Sequence, residues 1–461
     1  MPRSTQQAQP PLEFIPPQLN PLVLRLTQGL LPAIIRSRSA IAEIEAENVE
    51  QLVDLYQRFQ AGKIRFLIAF RHPSVDDPLG IAYLLSRLVP QEARRRQVKL
   101  QEPVHAHFLY DRGIPLWAGS AVGWLYSRLG GIPVQRGKID LQGLRAARNL
   151  FASGSFPMVA APEGATNGHT EVISALEPGI SQLGFWCVED LQKAGRTEEV
   201  LILPIGIQYR YITPPWPALE RLLTELEADT GLVNQRVSGD RTSETGLYQR
   251  LYGLGQHLLV MMEQFYHRFY HQPLPATPVA EQPMTNAEFA DRLNALMNAA
   301  LTVAEEYFGL KPKGSTIDRC RRLEQAGWDY IYREDLAPIE ALPAVERGLA
   351  DRIAEEADLR VWHMRLVESF VAVTGKYVLE KPSAERFAET ALLMWDMVSR
   401  IKGNSPFARP KLGKQRTLLT IGQPISVSER WEGYKGNRRQ AKQAVADLTQ
   451  DLQNALAAMI R

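Results

Sequence analysis

The chain has 461 residues, more than one hydrophobic core commonly serves, so two or three domains are expected. Its apolar fraction of 45% and charged fraction of 23% are ordinary for a soluble globular protein. Two cysteines without paired spacing, Cys187 and Cys320, exclude a disulfide framework and a thiolate zinc site, and the net charge of +2 says little as a total.

The stretch up to about Leu19 carries Pro10, Pro11, Pro16 and Pro17 and reads as an irregular arm, without the basic-then-apolar order of a secretory signal. Pro21–Arg36 differs. Leu22, Val23, Leu26, Leu30 and Ile34 fall near helical spacing, with Arg25, Arg36 and Arg38 to the side and end. This segment is too short and too charged to span a bilayer comfortably. It suits a helix lying in the headgroup layer or, equally, one packed on the protein's own core. Ala42–Gln60 reads as a second, more acidic helix. No run of ~18 apolar residues occurs, so no spanning helix is expected and the expected location is the cytoplasm, with peripheral attachment to a membrane.

From Lys63 to about Tyr211 strands and helices alternate. The expected strands are Ile64–Phe70, Val104–Tyr110, Ile132–Gln135, Met158–Ala161 and Leu201–Tyr209, and the expected helices are Leu79–Leu88, Ser120–Leu129, Leu141–Ala152 and Gly179–Ala194. The fold class this implies is α/β, with a mixed, largely parallel sheet flanked by helices. After Pro214-Pro215 the strand signal vanishes. Leu219–Ala228, Tyr248–Phe269, Asn286–Phe308 and Ala384–Ile401 read as helices, with a proline-rich connector at Gln272–Met284. Arg416–Val427 then restores a strand, followed by an amphipathic helix from about Gln440 to Ile460. A lone late strand needs a sheet to join, and the evident one lies upstream. The expected organisation is therefore an arm and helices over 1–62, an α/β domain over 63–214, an all-α insertion or second domain over 215–415, and a return to the α/β domain over 416–461.

Four short stretches carry chemistry. In His72-Pro-Ser-Val-Asp-Asp77 an apolar strand stops at a polar turn, placing an imidazole near a carboxylate that could fix its tautomer, the minimum equipment of a general base. The plainer alternative is that His72 caps the next helix. In Gly130-Gly131-Ile-Pro-Val-Gln-Arg136 a strand ends on a forked, permanently charged side chain suited to an anionic oxygen, or on an ordinary solvated strand terminus. In Pro162-Glu163-Gly164-Ala-Thr166-Asn167 a glycine lets backbone N–H groups approach a ligand and a carboxylate can accept hydrogen bonds from a hydroxyl; a tight turn would look the same. The fourth stretch is Leu203-Pro204-Ile205, a proline within a strand. His105 and His107 share one strand face but lack a third metal ligand.

In this order the blocks H-x-x-x-x-D, G-x-x-x-x-R, P-E-G and a proline-centred strand resemble the glycerolipid acyltransferase superfamily, which includes glycerol-3-phosphate and 1-acylglycerol-3-phosphate acyltransferases. The likeness covers roughly Lys63–Gln208, and Thr420–Val427 is similar to the closing strand of that family. Arg71 stands where the family often has Asn, and Ala165-Thr166-Asn167 where many members continue to an arginine. The resemblance implies that His72 deprotonates an acceptor hydroxyl while Asp77 orients the ring, with no covalent acyl-enzyme. It also implies that Arg136, Glu163 and Gly164, with Gly131, Thr166 and Pro204, hold a phosphate-bearing acceptor. The implied activity is transfer of a fatty acyl group from a thioester donor to a glycerol phosphate or lysophospholipid in phospholipid synthesis. The alternatives are a remodelling lysophospholipid or other polar-lipid acyltransferase, and a non-catalytic lipid-binding protein. No metal or cofactor is expected; acyl-CoA or an acyl carrier protein would serve as donor. Basic residues recurring between Arg400 and Lys442, and at Arg94-Arg95-Arg96, suit an anionic membrane surface or an acidic carrier protein; nucleic acid is not expected as a partner.

Overall fold

A computed structural model describes residues 7–135, 140–232, 240–275, 284–369, 376–405 and 408–461. The described residues form two compact units. One is built from Glu13–Gln135, the stretch up to Ile212 and Lys414–Arg461; the other from Thr213–Gly413 with the segment ending at Leu12. The breaks at 213 and 414 lie beside the expected 215 and 416. The expected separate region 1–62 is divided instead, with everything from Glu13 onward belonging to the α/β unit.

That unit holds an eight-stranded sheet: β1 (Ile41–Glu47), β2 (Ile64–Phe70), β3 (His107–Asp111), β4 (Ile132–Val134), β5 (Met158–Ala160), β6 (Glu199–Tyr211), β7 (Gln415–Ile421) and β8 (Ile425–Ser426). The order is β1-β7-β6-β2-β5-β3-β4, with β8 also paired to β6. Neighbours run parallel except where β7 and β8 meet β6. The sheet is thus mixed and mostly parallel, and it is completed from the carboxyl end of the chain. β2 lies near the centre and is buried along its whole length, as a two-sided strand must be. Phe66, Ile68 and Phe70 pack with Leu52, Tyr56, Ile81 and Leu84 on one face, while Leu67 and Ala69 pack with Phe151, Leu183, Leu448 and Leu452 on the other.

Two local expectations are corrected. Ala42–Gln60 is not one helix. Its alanine- and glutamate-rich start forms β1 against β7, Asn48 takes a left-handed conformation (φ 59°), and only Val49–Gln60 is helical. Pairing in the sheet overrides the helix propensity of the Ala and Glu residues. The helix expected to end at Leu88 starts at Asp77 and runs to Arg95. A π turn at Leu84–Leu88 precedes Pro90, easing a proline into a continuing helix where its missing N–H would otherwise break the ladder.

The amino-terminal helix, Pro21–Arg38, is capped by Asn20, whose side chain accepts from the N–H groups of Leu22 and Val23. It buries Leu24, Leu31 and Ile35 but leaves Leu22, Leu26 and Leu30 exposed at 78%, 65% and 52%. It therefore packs on its own unit and also presents an unpartnered apolar ridge.

The second unit is helical: Trp216–Asp229, Glu244–Tyr270, Asn286–Phe308, Thr316–Ile331, Ala344–Glu368, Tyr377–Glu380 and Ala384–Ile401. Sequence periodicity missed Thr316–Ile331 and Ala344–Glu368, and residues 276–283 of the proline-rich connector lie outside the described ones. Buried ion pairs tie successive helices together: Arg250 grips Glu227 at 2.8 and 3.0 Å, and Arg319 grips Glu305 at 2.8 and 2.7 Å.

Candidate active site

The carboxyl ends of the parallel strands share one edge of the sheet, where an α/β fold presents reactive side chains. Phe70 ends β2, and Arg71 and His72 follow. Asp77 opens the next helix, with Pro78 just inside the helix start, where proline fits. This return of the chain brings His72 Nδ1 to 3.0 Å from Asp77 Oδ2. Asp77 is fully buried, whereas the His72 side chain keeps 20% of its surface open. The imidazole stands edge-on to Phe70, 5.7 Å between ring centres.

Asp77 has two further partners. The backbone N–H of Ser74 donates to Oδ2 at 2.8 Å, and the hydroxyl of Tyr209, on β6, donates to Oδ1 at 2.5 Å. Burial first, then the adjacent Asp77 charge, push the Tyr209 phenol well above its ordinary range, so it remains a donor. With the carboxylate accepting at both oxygens, the proton of a neutral imidazole belongs on Nδ1, which leaves the lone pair on Nε2.

Glu163, in the loop after β5, is also buried, and its carboxylate is occupied inside the protein. Oε1 accepts from the backbone N–H of His72 at 2.8 Å; Oε2 accepts from the Ser174 N–H at 2.9 Å and from the Asn167 amide at 3.2 Å. Arg71 lies beside it, Nε 3.9 Å from Oε1. The Arg71 guanidinium donates to the carbonyls of His169 at 3.1 Å and Val172 at 2.6 Å, and to that of Thr170. Glu163 and Arg71 thus fix the His72 backbone and the loop through Ser174. Gly164 turns that loop with φ +72°, and Thr166 is exposed on it.

Two further residues singled out in the sequence are Gly131 and Pro204. Gly131 precedes the amino end of β4, with two strands, β5 and β3, between β4 and β2. Its N–H donates to Tyr126 O at 2.8 Å, and a Cβ there would sit 2.9 Å from that oxygen, so the turn itself requires glycine. Pro204 is buried in β6 opposite Ala69. Its carbonyl accepts from Gly422 N–H at 2.9 Å, so it faces the break between β7 and β8, where a missing N–H costs no ladder bond. Arg136 and Lys138 lie outside the described residues.

His105 and His107 do not converge on a metal. Their rings contact the carbonyls of Leu129 (2.8 Å) and Gly130 (2.9 Å) at the end of helix Ser120–Arg128. Among the described residues no group of three His, Cys, Asp or Glu side chains is placed to hold a metal ion. The basic clusters are largely matched by acids: Arg95 meets Glu92, Arg96 meets Asp54, Lys402 meets Asp229, Arg416 meets Glu43 and Arg430 meets Asp451.

Sequence reasoning missed Tyr209 and the role of Arg71. Tyr209 ends the inward-facing row Leu203, Ile205, Ile207, and a tyrosine there has a hydroxyl that needs a buried partner. That alternation was the available signal. Comparison of the chain with protein-family models, curated proteins and solved structures found no match.

Proposed function

We propose that the protein is an acyltransferase that moves a fatty acyl group from a thioester to the hydroxyl of a glycerol phosphate or lysophospholipid. The observation that carries this reading is the His72–Asp77 pair: a buried carboxylate 3.0 Å from an imidazole that is itself partly open, at the sheet edge. His72 Nε2 takes the hydroxyl proton as the oxygen attacks the thioester carbonyl, and Asp77 holds the ring and stabilises the imidazolium. The tetrahedral adduct collapses with cleavage of the C–S bond. The leaving thiolate recovers the proton from His72, giving ester and free thiol. No G-x-S-x-G elbow is present to support a serine-hydrolase reading.

Peripheral attachment to an anionic membrane belongs to the same proposal. It is supported by the exposed ridge Leu22, Leu26 and Leu30 with Arg25, Arg36 and Arg38 exposed on the same helix. No helix among the described residues is long and apolar enough to cross a membrane.

The test is acyl transfer by purified protein, with acyl-CoA and acyl-carrier donors against glycerol 3-phosphate and a panel of lysolipids. His72→Ala, confirmed as folded, is expected to lose about a hundred- to ten-thousand-fold in rate. A folded His72→Ala protein that retains most of the transfer would remove the proposal. Turnover of lysophospholipids alone would favour the remodelling alternative, and specific lipid binding without transfer the non-catalytic one.

A further inference from the structure

We infer that Tyr209 is a positioning residue for the His72–Asp77 pair: its hydroxyl locks the Asp77 carboxylate so that His72 is held with Nε2 facing outward. The inference rests on His72 acting as the base; Tyr209 is placed behind Asp77 and acts through it, with the Ser74 side chain as a further neighbour of its hydroxyl.

The placement originates in strand length. β2 ends at Phe70, paired with Ile205, while β6 continues to Tyr211. Tyr209 lies on that overhang, where its outer neighbour is β7, opposite Thr417. Side chains alternate along a strand, so Tyr209 shares the face of Ile205 and Ile207 and its ring joins their apolar cluster. The hydroxyl reaches Asp77 Oδ1 at 2.5 Å, while Oδ2 is held by Ser74 N–H at 2.8 Å. A carboxylate anchored at one oxygen can turn about its Cβ–Cγ bond. Anchored at both, from β6 and from the loop, it keeps Oδ2 on His72 Nδ1. Tyr209 is only 5% exposed, so its hydroxyl is shielded from bulk solvent.

Tyr209→Phe keeps the ring in the core and removes one oxygen. ¹⁵N NMR of the histidine side chains needs no substrate. In the neutral ring of wild-type His72 the proton is expected on Nδ1 alone, and in the variant divided between the two nitrogens. In the transfer assay kcat is expected to fall about tenfold with KM little changed. In an Asp77→Asn background Tyr209→Phe should change neither readout, as two residues acting through one contact require. An unaltered His72 tautomer in folded Tyr209→Phe overturns the inference, as does an equal loss of activity in both backgrounds, which a packing defect would give. If Tyr209→Phe does not fold, 3-fluorotyrosine at position 209 keeps ring and hydroxyl while strengthening the donor. The His72 ¹⁵N shifts then move if Asp77 relays the effect; their staying fixed overturns it. A tautomer response in a protein that transfers no acyl group would uphold the positioning role and sink the proposed reaction alone.

Discussion

The backbone N–H of His72 donates to Oε1 of Glu163 at 2.8 Å, joining the loop after β2 to the loop after β5. The contact explains how a side chain that directly precedes a proline, Pro73, is held in place. Its main chain is gripped from one neighbouring strand, and its ring, through Asp77, from another.

Glu163→Ala removes the counter-charge of buried Arg71 and leaves the N–H groups of His72 and Ser174 without their acceptor. The expected loss is about 3–5 kcal/mol of stability, the usual result of breaking a buried ion pair on one side. Urea unfolding of the two proteins measures it. Glu163→Gln keeps one carbonyl oxygen and should lie between them.

Acid should weaken the fold through His105. Burial, outweighing the contact with the Leu129 carbonyl, lowers its pKa from 6.5 to about 4. The unfolded chain therefore binds this proton at a higher pH than the folded one. The stabilisation is complete above pH 6.5 and is lost as pH falls toward 4, by up to about 1.4 kcal/mol per pH unit. His105→Gln retains a donor for Leu129 O and does not titrate, so its unfolding free energy should vary less steeply across that window. Denaturation at pH 4, 5, 6 and 7 makes the comparison.

The leucine ridge of Pro21–Arg38 offers a separate test. Replacing Leu22, Leu26 and Leu30 with serine removes apolar surface that the folded unit already exposes, so the melting temperature should change little. Cosedimentation with anionic vesicles should fall severalfold. Unchanged binding would exclude this ridge as the attachment surface.

The parts of this architecture written in local pattern were readable from sequence. β2 is a run of seven buried residues, and His72 and Asp77 are five positions apart across a turn bracketed by Pro73 and Pro78. What could not be read depends on strand order. The hydroxyl that meets Asp77 lies 132 positions away, and the carboxylate that meets His72 N–H lies 91 away; both come together because β6 and β5 flank β2. No periodicity encodes that adjacency. β1 was hidden for another reason: Ala and Glu favour a helix, and only the pairing with β7 makes the segment a strand. Gly131 drew attention as a ligand contact, yet a tight turn demands glycine just as strictly.

The long detour between β6 and β7 has a consequence for synthesis. About two hundred residues separate Tyr211 from Gln415. At ordinary elongation rates the ribosome takes roughly ten to forty seconds to make them. Throughout that interval the growing polypeptide displays one flank of β6 as a row of open hydrogen-bonding groups, the kind of edge on which nascent chains stick to one another. Premature termination anywhere in the detour would leave that flank permanently bare, so shortened products should be captured by chaperones or precipitate.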